Sequence, residues 1–317
     1  MKIGFLVLSD FFYQYGICCE VDKNKAFEFY LLAVHNEIEK GYLKLIDFPH
    51  ILKENEFDTL SEKYQYYDWF YYEDLNKKFK MYLKSAEMGD SEAQHKLGHC
   101  YQYGEGVAQD HDKAFEWYSK SANNGCVKGQ CSLGLCYVNG FGTDKDYNRA
   151  FEWYSKSANN GCALGQCRLG YCYANGIGTH KDYKKAFQLY FKSASSGCAE
   201  GQFYLGLCYK NGFGTDRNYK DAFEWYSKSA NKGFAKGQYS LGLCYENGFG
   251  TNKDSNKAFQ WYLKSANKGC NMGQNNLGDC YYFGNGVKKD YNKAFNWYSR
   301  AGDSGCSIAL RKLYRWK

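Results

Sequence analysis

Residues 146–161 read DYNRAFEWYSKSANNG, and near-copies of this stretch recur every 36 residues. An Ala-Phe pair marks the period, and its alanines are Ala114, Ala150, Ala186, Ala222, Ala258 and Ala294. A fixed period of this size predicts stacked repeats, each of which buries its apolar face only against its neighbours. The chain is therefore expected to form one continuous array that works by presenting a surface rather than by chemistry.

The stretch around Ala150 predicts an amphipathic helix, which we call helix B. Ala150, Tyr154 and Ala158 lie four residues apart and so share one helix face. Asp or Asn four residues earlier in the period predicts an N-cap, at Asp22, Asp74, Asp110, Asp146, Asp182, Asn218, Asp254 and Asp290. Glycine is predicted to close the helix in the left-handed conformation, at Gly89, Gly125, Gly161, Gly197, Gly233, Gly269 and Gly305.

The segment from Cys126 to Gly140 predicts a second helix, helix A. Gly129, Leu133 and Tyr137 are spaced four apart along it. A glycine inside a helix costs about 1 kcal/mol relative to alanine, so we expect helix B to pack closely against these positions. Gly-x-Gly loops then lead to the next capping residue, and their recurrence in every unit indicates turn geometry rather than a phosphate site.

The period organises the chain into eight units and a terminal helix. The predicted divisions are a degenerate first repeat at 1–36, a second repeat at 37–89 with an insertion at about 49–64, six regular repeats at 90–305 and a capping helix at 306–317. In the capping helix, Ala309 and Leu313 are predicted to be buried, and the residues predicted to face water are Arg311, Lys312, Arg315 and Lys317.

The repeated pattern Ala-Phe-x-Trp-Tyr-x-Lys-Ser-Ala, Gly-Gln-x-x-Leu-Gly-x-Cys-Tyr and Gly-x-Gly resembles the Sel-1-like repeat over nearly the whole chain. The resemblance implies an all-α, tetratricopeptide-like fold: a right-handed superhelical solenoid of antiparallel helix pairs. It also implies an adaptor that assembles protein complexes. The chain departs from the family pattern in the inserted second repeat and in cysteines where a polar residue is usual, at Cys126, Cys162, Cys198, Cys270 and Cys306.

Composition narrows the classes of function. The chain carries 41 Lys and Arg against 34 Asp and Glu, with the two signs interspersed, so nucleic-acid binding is not expected. No apolar run approaches the length of a membrane span, and Met1 to Leu8 lacks the features of a signal peptide. The sequence therefore predicts a cytoplasmic protein, with secretion as the alternative.

Fifteen cysteines raise the question of disulfides. A ladder of them follows the predicted buried leucine by three residues, where a thiol packs as a small apolar group, at Cys100, Cys136, Cys172, Cys208, Cys244 and Cys280. Cys126 and Cys136 are about 15 Å apart along one helix and cannot pair. Reduced thiols are expected, although the sequence leaves open a bond from Cys162 or Cys198 to a neighbouring repeat.

Other residues that could carry chemistry have structural explanations. His95 and His99 have the spacing of a zinc pair but lack further ligands, so we read them as surface residues and predict no metal, cofactor or catalytic residue. Lysines near the end of helix B match the helix dipole and are predicted to be solvated. The tryptophans Trp117, Trp153, Trp225, Trp261 and Trp297 are predicted to pack between repeats.

Comparison of the repeats with one another locates a candidate binding surface. Columns that change between repeats, represented by Lys128, Cys131, Ser132, Leu135 and Val138, are predicted to lie on the side of helix A away from its constant stripe. This face would line a concave groove that binds a peptide or helix of a protein partner. Besides His95, the predicted partner-binding residues are His99, Arg168, Tyr171, Phe203, Tyr204, Lys210, Tyr239, Glu246 and Tyr282.

Three alternatives remain open at this point. The resemblance also extends to a cysteine-rich, disulfide-stapled secreted branch whose members bind and hydrolyse β-lactams. A regulatory array of a kinase-associated signalling assembly is a further reading. The aromatic cluster at 64–72 could either dock a partner or cover the end of the stack.

Overall fold

The computed structural model describes residues 74–314, and within this part the chain forms fourteen helices and no strand. We number them α1 (74–87), α2 (Ser91–Tyr103), α3 (His111–Asn123), α4 (Val127–Asn139), α5 (Tyr147–Asn159), α6 (Ala163–Asn175), α7 (Tyr183–Ser195), α8 (Ala199–Asn211), α9 (Tyr219–Asn231), α10 (Ala235–Asn247), α11 (Ser255–Asn267), α12 (Asn271–Phe283), α13 (Tyr291–Asp303) and α14 (Ser307–Tyr314). The predicted first repeat, the insertion and the aromatic cluster at 64–72 lie outside the described residues.

The helices form two rows, as the alternation of helices A and B predicts. The even-numbered helices, α2 to α14, make up the A row, and the odd-numbered helices make up the B row. Neighbouring A-row helices contact one another directly, as α4 contacts α6 and α6 contacts α8, whereas the extended contacts of the described B-row helices are all with A-row helices. The A row therefore lies on the shorter, inner side of the array.

The B-row helices from α3 to α13 begin and end at the predicted residues. The Asp146 side chain accepts hydrogen bonds from the N–H groups of Asn148 and Arg149, and equivalent residues cap α3, α7, α9, α11 and α13. Gly161 has a φ of 83°, the left-handed conformation that ends the helix. Asp74 is the first residue of α1 that the structure describes, and its carboxylate pairs with Lys78.

Two close contacts hold together each hairpin from α2–α3 to α10–α11. A Cβ atom on Gly134 of α4 would lie 2.7 Å from the ring of Tyr154 on α5, so only glycine allows this ring to pack there. The Ser157 hydroxyl, on the same helix as the tyrosine, donates a hydrogen bond to the Val127 carbonyl at 2.7 Å. Both contacts recur along the array, and they confirm that helix B packs against the small residues of helix A.

The predicted cysteine ladder is buried. Cys136 and its equivalents are at most 4% exposed, and burial raises the pKa of the Cys136 thiol to about 12. A neutral, buried thiol packs as an apolar group, as the sequence predicts. All thirteen cysteines in the described part of the chain are free thiols.

The tryptophans pack between repeats, as predicted, and they also contact the lysines near the ends of the B-row helices. Lys156 Nζ lies 4.1 Å from the centre of the Trp153 ring, and the same pairing recurs at α3, α9, α11 and, with arginine, at α13. The exposed lysines therefore make a cation–π contact that the sequence did not predict. On α7 this position is Leu189, and a cleft of about 210 Å³ lies beside it.

The C-terminal helix α14 corrects one prediction. Ala309 is buried and Leu313 packs beside it, as expected. Lys312, however, is only partly exposed, and its Nζ lies 2.6 Å from Asp279 Oδ1 and 3.0 Å from Asn275 Oδ1 on α12. The lysine turns towards α12 because a carboxylate on the neighbouring repeat compensates its charge.

Candidate interaction surface

The predicted partner-binding residues all lie on A-row helices, on what we call the inner-row surface. Four of them are exposed: His99, Tyr171, Glu246 and Tyr282. The others are partly buried: Arg168, Phe203, Tyr204, Lys210 and Tyr239. They extend from α2 to α12, so they follow the array rather than converge on one point.

The structure brings three of these residues together between α6 and α8. Arg168 pairs with Glu200 at 2.9 Å, and the two side chains are 30% and 16% exposed. Burial raises the pKa of Glu200 and outweighs the opposing effect of the Arg168 charge. The Tyr171 ring lies 5.8 Å from that of Tyr204. An ion pair and an exposed aromatic side chain therefore lie next to each other, a combination typical of protein-binding surfaces.

Tyr204 itself is anchored in the repeat. Its ring stacks on the buried Tyr190 at 5.0 Å, with 13° between the planes. Burial raises the pKa of Tyr204 well above its usual range. Tyr204 therefore supports the exposed Tyr171 more than it offers a free side chain of its own.

Phe203 and Tyr239 pack largely against the next helices. The Phe203 ring lies 5.6 Å from Phe234 and 6.0 Å from Tyr226, and the Tyr239 ring lies 6.0 Å from Tyr262. The same column holds Cys131, which is 5% exposed, so the prediction that this column faces away from the buried stripe is wrong. The reason is that an adjoining A-row helix covers this position.

The remaining predicted residues make separate local contacts. His99 Nδ1 lies 3.2 Å from Glu105 Oε2, and Lys210 lies over the Phe249 ring at 5.9 Å. The Tyr282 ring is 5.4 Å from that of Tyr291. The structure therefore does not bring these positions into contact with the Arg168 cluster.

His95 is partly buried instead of being a surface residue. Its Nε2 lies 3.1 Å from the Ser132 hydroxyl on α4, and desolvation lowers the His95 pKa to about 4. His95 is therefore neutral at pH 7. Among residues 74–314, no three His, Cys, Asp or Glu side chains converge in a way that could hold a metal ion.

Two tyrosine hydroxyls of B-row helices bond to side chains of the inner row, which the sequence did not predict. Tyr118 donates to Gln102 at 2.7 Å, and Tyr262 donates to Glu246 at 2.8 Å. Both acceptors stand sixteen residues before their tyrosine. A polar residue at that spacing is the signal from which these bonds could have been predicted.

In the part of the chain from 74 to 314, every helix is too short or too polar to cross a bilayer.

The paired helices, their period and their inner-row surface define the chain as an α-solenoid of the tetratricopeptide-like class. The family model described as the Sel1 repeat matches residues 7–36, 91–126, 127–162, 163–198, 199–234, 235–270 and 271–306. The chain therefore belongs to the Sel1 repeat family, whose members are generally protein-interaction scaffolds.

Two of the solved structures that are similar to this chain illustrate the likeness. One is a protective antigen of uropathogenic Escherichia coli strains that displays an SLR fold, with 36% identity over 74% of this chain and a TM-score of 0.59. The match spans 50% of that antigen's length. The other is a Sel1 repeat protein from Oxalobacter formigenes, with 33% identity over 67% of this chain and 85% of that one and a TM-score of 0.61. Among curated proteins, none matches this chain.

Proposed function

We propose that this chain is a non-catalytic scaffold that binds a peptide or helix of a protein partner along its inner-row surface. The observation that carries the proposal is the cluster between α6 and α8, where exposed Tyr171 stands beside the Arg168–Glu200 pair. An aromatic side chain on a rigid support, next to a partly desolvated ion pair, suits a peptide that presents both apolar and charged groups.

A capture experiment with matched variants tests this proposal. The full chain, the double variant Arg168→Ala with Tyr171→Ala, and the control Tyr147→Ala serve as baits in lysate of the native host, followed by mass spectrometry. Tyr147 is also an exposed tyrosine, but it opens a B-row helix away from the inner-row surface. We expect proteins that both the full chain and the control capture to be lost with the double variant.

Equal capture by all three baits, with unchanged helicity, would contradict the use of this cluster. The Tyr204→Ala and Tyr239→Ala variants are less suitable because both rings pack on buried tyrosines, so a loss of binding would mix with a loss of stability. Capture with a Glu246→Ala variant then tests whether the binding surface extends to α10.

We also propose that the protein works in a reducing compartment such as the cytoplasm. The buried thiol ladder supports this, because a small apolar thiol is useful there only while it stays reduced. Localisation of a tagged chain in the native host, together with a thiol count on the denatured protein, tests the proposal. Secretion with few free thiols would overturn it.

A further inference from the structure

Two cysteines from successive repeats face each other between α6 and α8. Cys167 lies in α6 and is 0% exposed, whereas Cys198 is the N-cap residue of α8 and is partly exposed. Both side chains belong to one packed cluster, in which Cys198 lies against the buried group that contains Cys167. The pair therefore combines a sheltered thiol with a partner that solvent can reach.

The juxtaposition is built into the fold and does not depend on the cysteines. One repeat later the same two positions hold Phe203 and Phe234, whose rings lie 5.6 Å apart. One repeat earlier they hold Cys131 and Cys162. The array thus places this position of an A-row helix beside the N-cap of the next A-row helix.

The surroundings distinguish the two thiols. The neighbouring Cys167 thiol lowers the pKa of Cys198, against the effect of burial, and the N–H groups at the start of α8 act in the same direction. The neighbouring Cys198 thiol, followed by burial, raises the pKa of Cys167. Arg168 and Glu200 flank the pair with opposite charges. Solvent reaches Cys198 but not Cys167, so Cys198 is the thiol that meets an oxidant, and buried Cys167 is the thiol that can resolve it.

We propose that Cys167 and Cys198 are an oxidant-reactive dithiol that hydrogen peroxide converts into a disulfide joining α6 to α8. The Cys198 thiolate attacks one peroxide oxygen, the O–O bond breaks, and the departing hydroxide takes up a proton to leave as water. The resulting Cys198 sulfenic acid is attacked by the Cys167 sulfur, which gives up its proton. The S–S bond forms as the S–O bond breaks and a second water leaves, so two thiols are oxidised and one peroxide is reduced to two waters.

The disulfide would act on the inner-row surface. It would link two A-row helices directly beside Arg168 and Tyr171. It would also fix the distance between α6 and α8 at this point of the array. Reduction by a dithiol reagent would release the link. The inference does not depend on the identity of the partner, and the chemistry can be measured with the purified full-length protein alone.

Peptide mapping tests the proposal on the unaltered chain. The reduced protein is treated with increasing hydrogen peroxide, its remaining thiols are alkylated, and the digest is analysed without reductant. We expect a linked Cys167–Cys198 peptide at lower peroxide than any linkage of Cys131 with Cys162, and we expect dithiothreitol to remove it. The Cys162→Ser variant alters the equivalent N-cap position one repeat earlier and is expected to retain the link.

Three results would overturn the proposal. One is conversion of Cys198 to a sulfinic acid without a linked peptide. Another is linkage of Cys198 to a cysteine other than Cys167. The third is a Cys198 that reacts no faster than Cys162. In Cys198→Ser, with circular dichroism unchanged, Cys167 is expected to stay reduced at the same peroxide concentration, and its linkage to another cysteine would contradict the assignment.

Discussion

The packing side of the hairpins and the inner-row surface of the same helices differ in how their contacts repeat. On the packing side, the tyrosine ring against glycine and the serine hydroxyl on a carbonyl recur from α2 onwards with almost the same geometry. On the inner-row surface, different repeats use different pairs: His95 with Ser132, Arg168 with Glu200, and Asp279 with Lys312. The difference teaches that stability depends on the constant contacts, while the variable ones are free to determine what is bound.

The largest effect is expected from a change in the tyrosine–glycine contact on the packing side. In Gly134→Ala the new Cβ would lie 2.7 Å from the Tyr154 ring, which is buried and cannot move aside. We expect a loss of about 2–3 kcal/mol in the free energy of unfolding, net of the better helix propensity of alanine. Denaturant titration followed by circular dichroism measures it.

The matched control for this variant is Gly161→Ala. Gly161 has a positive φ, but nothing lies within 4 Å of a Cβ at this position. Backbone strain alone should cost about 1 kcal/mol there. If Gly134→Ala is no more destabilising than this control, the tyrosine–glycine contact is not what holds the hairpin.

The second prediction concerns the variable side and pH. Because burial lowers the pKa of His95 from 6.5 to about 4, the unfolded chain binds this proton more readily than the folded one between these values. The contribution of His95 is therefore complete above pH 6.5 and is lost as the pH falls towards 4. We expect about 2 kcal/mol to be lost by pH 5.

Unfolding measured from pH 7 to pH 4.5 in the full chain and in His95→Gln tests this expectation. The variant should lose part of the pH dependence, whereas His99→Gln, which changes an exposed side chain on the same helix, should retain it. An identical slope in the chain and in His95→Gln would show that His95 is not protonated on unfolding.

A third, smaller effect is expected when one of the constant hydrogen bonds is removed. Ser157→Ala deletes the bond from the buried hydroxyl to the Val127 carbonyl at 2.7 Å. We expect a loss of about 1 kcal/mol in the free energy of unfolding. Ser155→Ala, whose hydroxyl bonds only to the Phe151 carbonyl of its own helix, should change stability by a few tenths of this, and equal losses would count against the inter-helix bond.

The smallest effect is expected when tryptophan is introduced at a helix position where one repeat departs from the pattern. Leu189→Trp places an indole beside the cleft and within reach of Lys192, as Trp153 does with Lys156. We expect a gain of up to about 1 kcal/mol, measured as a raised midpoint of denaturation. The reverse change, Trp153→Leu, should lower it, and a lower midpoint in Leu189→Trp would mean that the cleft does not accept an indole.

The sequence predicted the constant side well and the variable side poorly, for a physical reason. Caps such as Asp146, the helix closure at Gly161 and the buried Tyr154 depend on contacts within one period, and a repeated pattern shows these directly. The ion pair of Lys312 with Asp279 and the burial of Cys131 depend instead on how one repeat is set against the next. Periodicity alone does not specify that offset.

The hydroxyl of Ser157 reaches back thirty residues, to a carbonyl on the helix that precedes its own. Tyr154 likewise rests on a glycine that comes earlier in the chain. Since synthesis proceeds from the N-terminus, each of these B-row helices leaves the ribosome after the A-row helix on which it docks. The hairpins can therefore form in the order in which they are translated, with each new B-row helix docking on a helix already made.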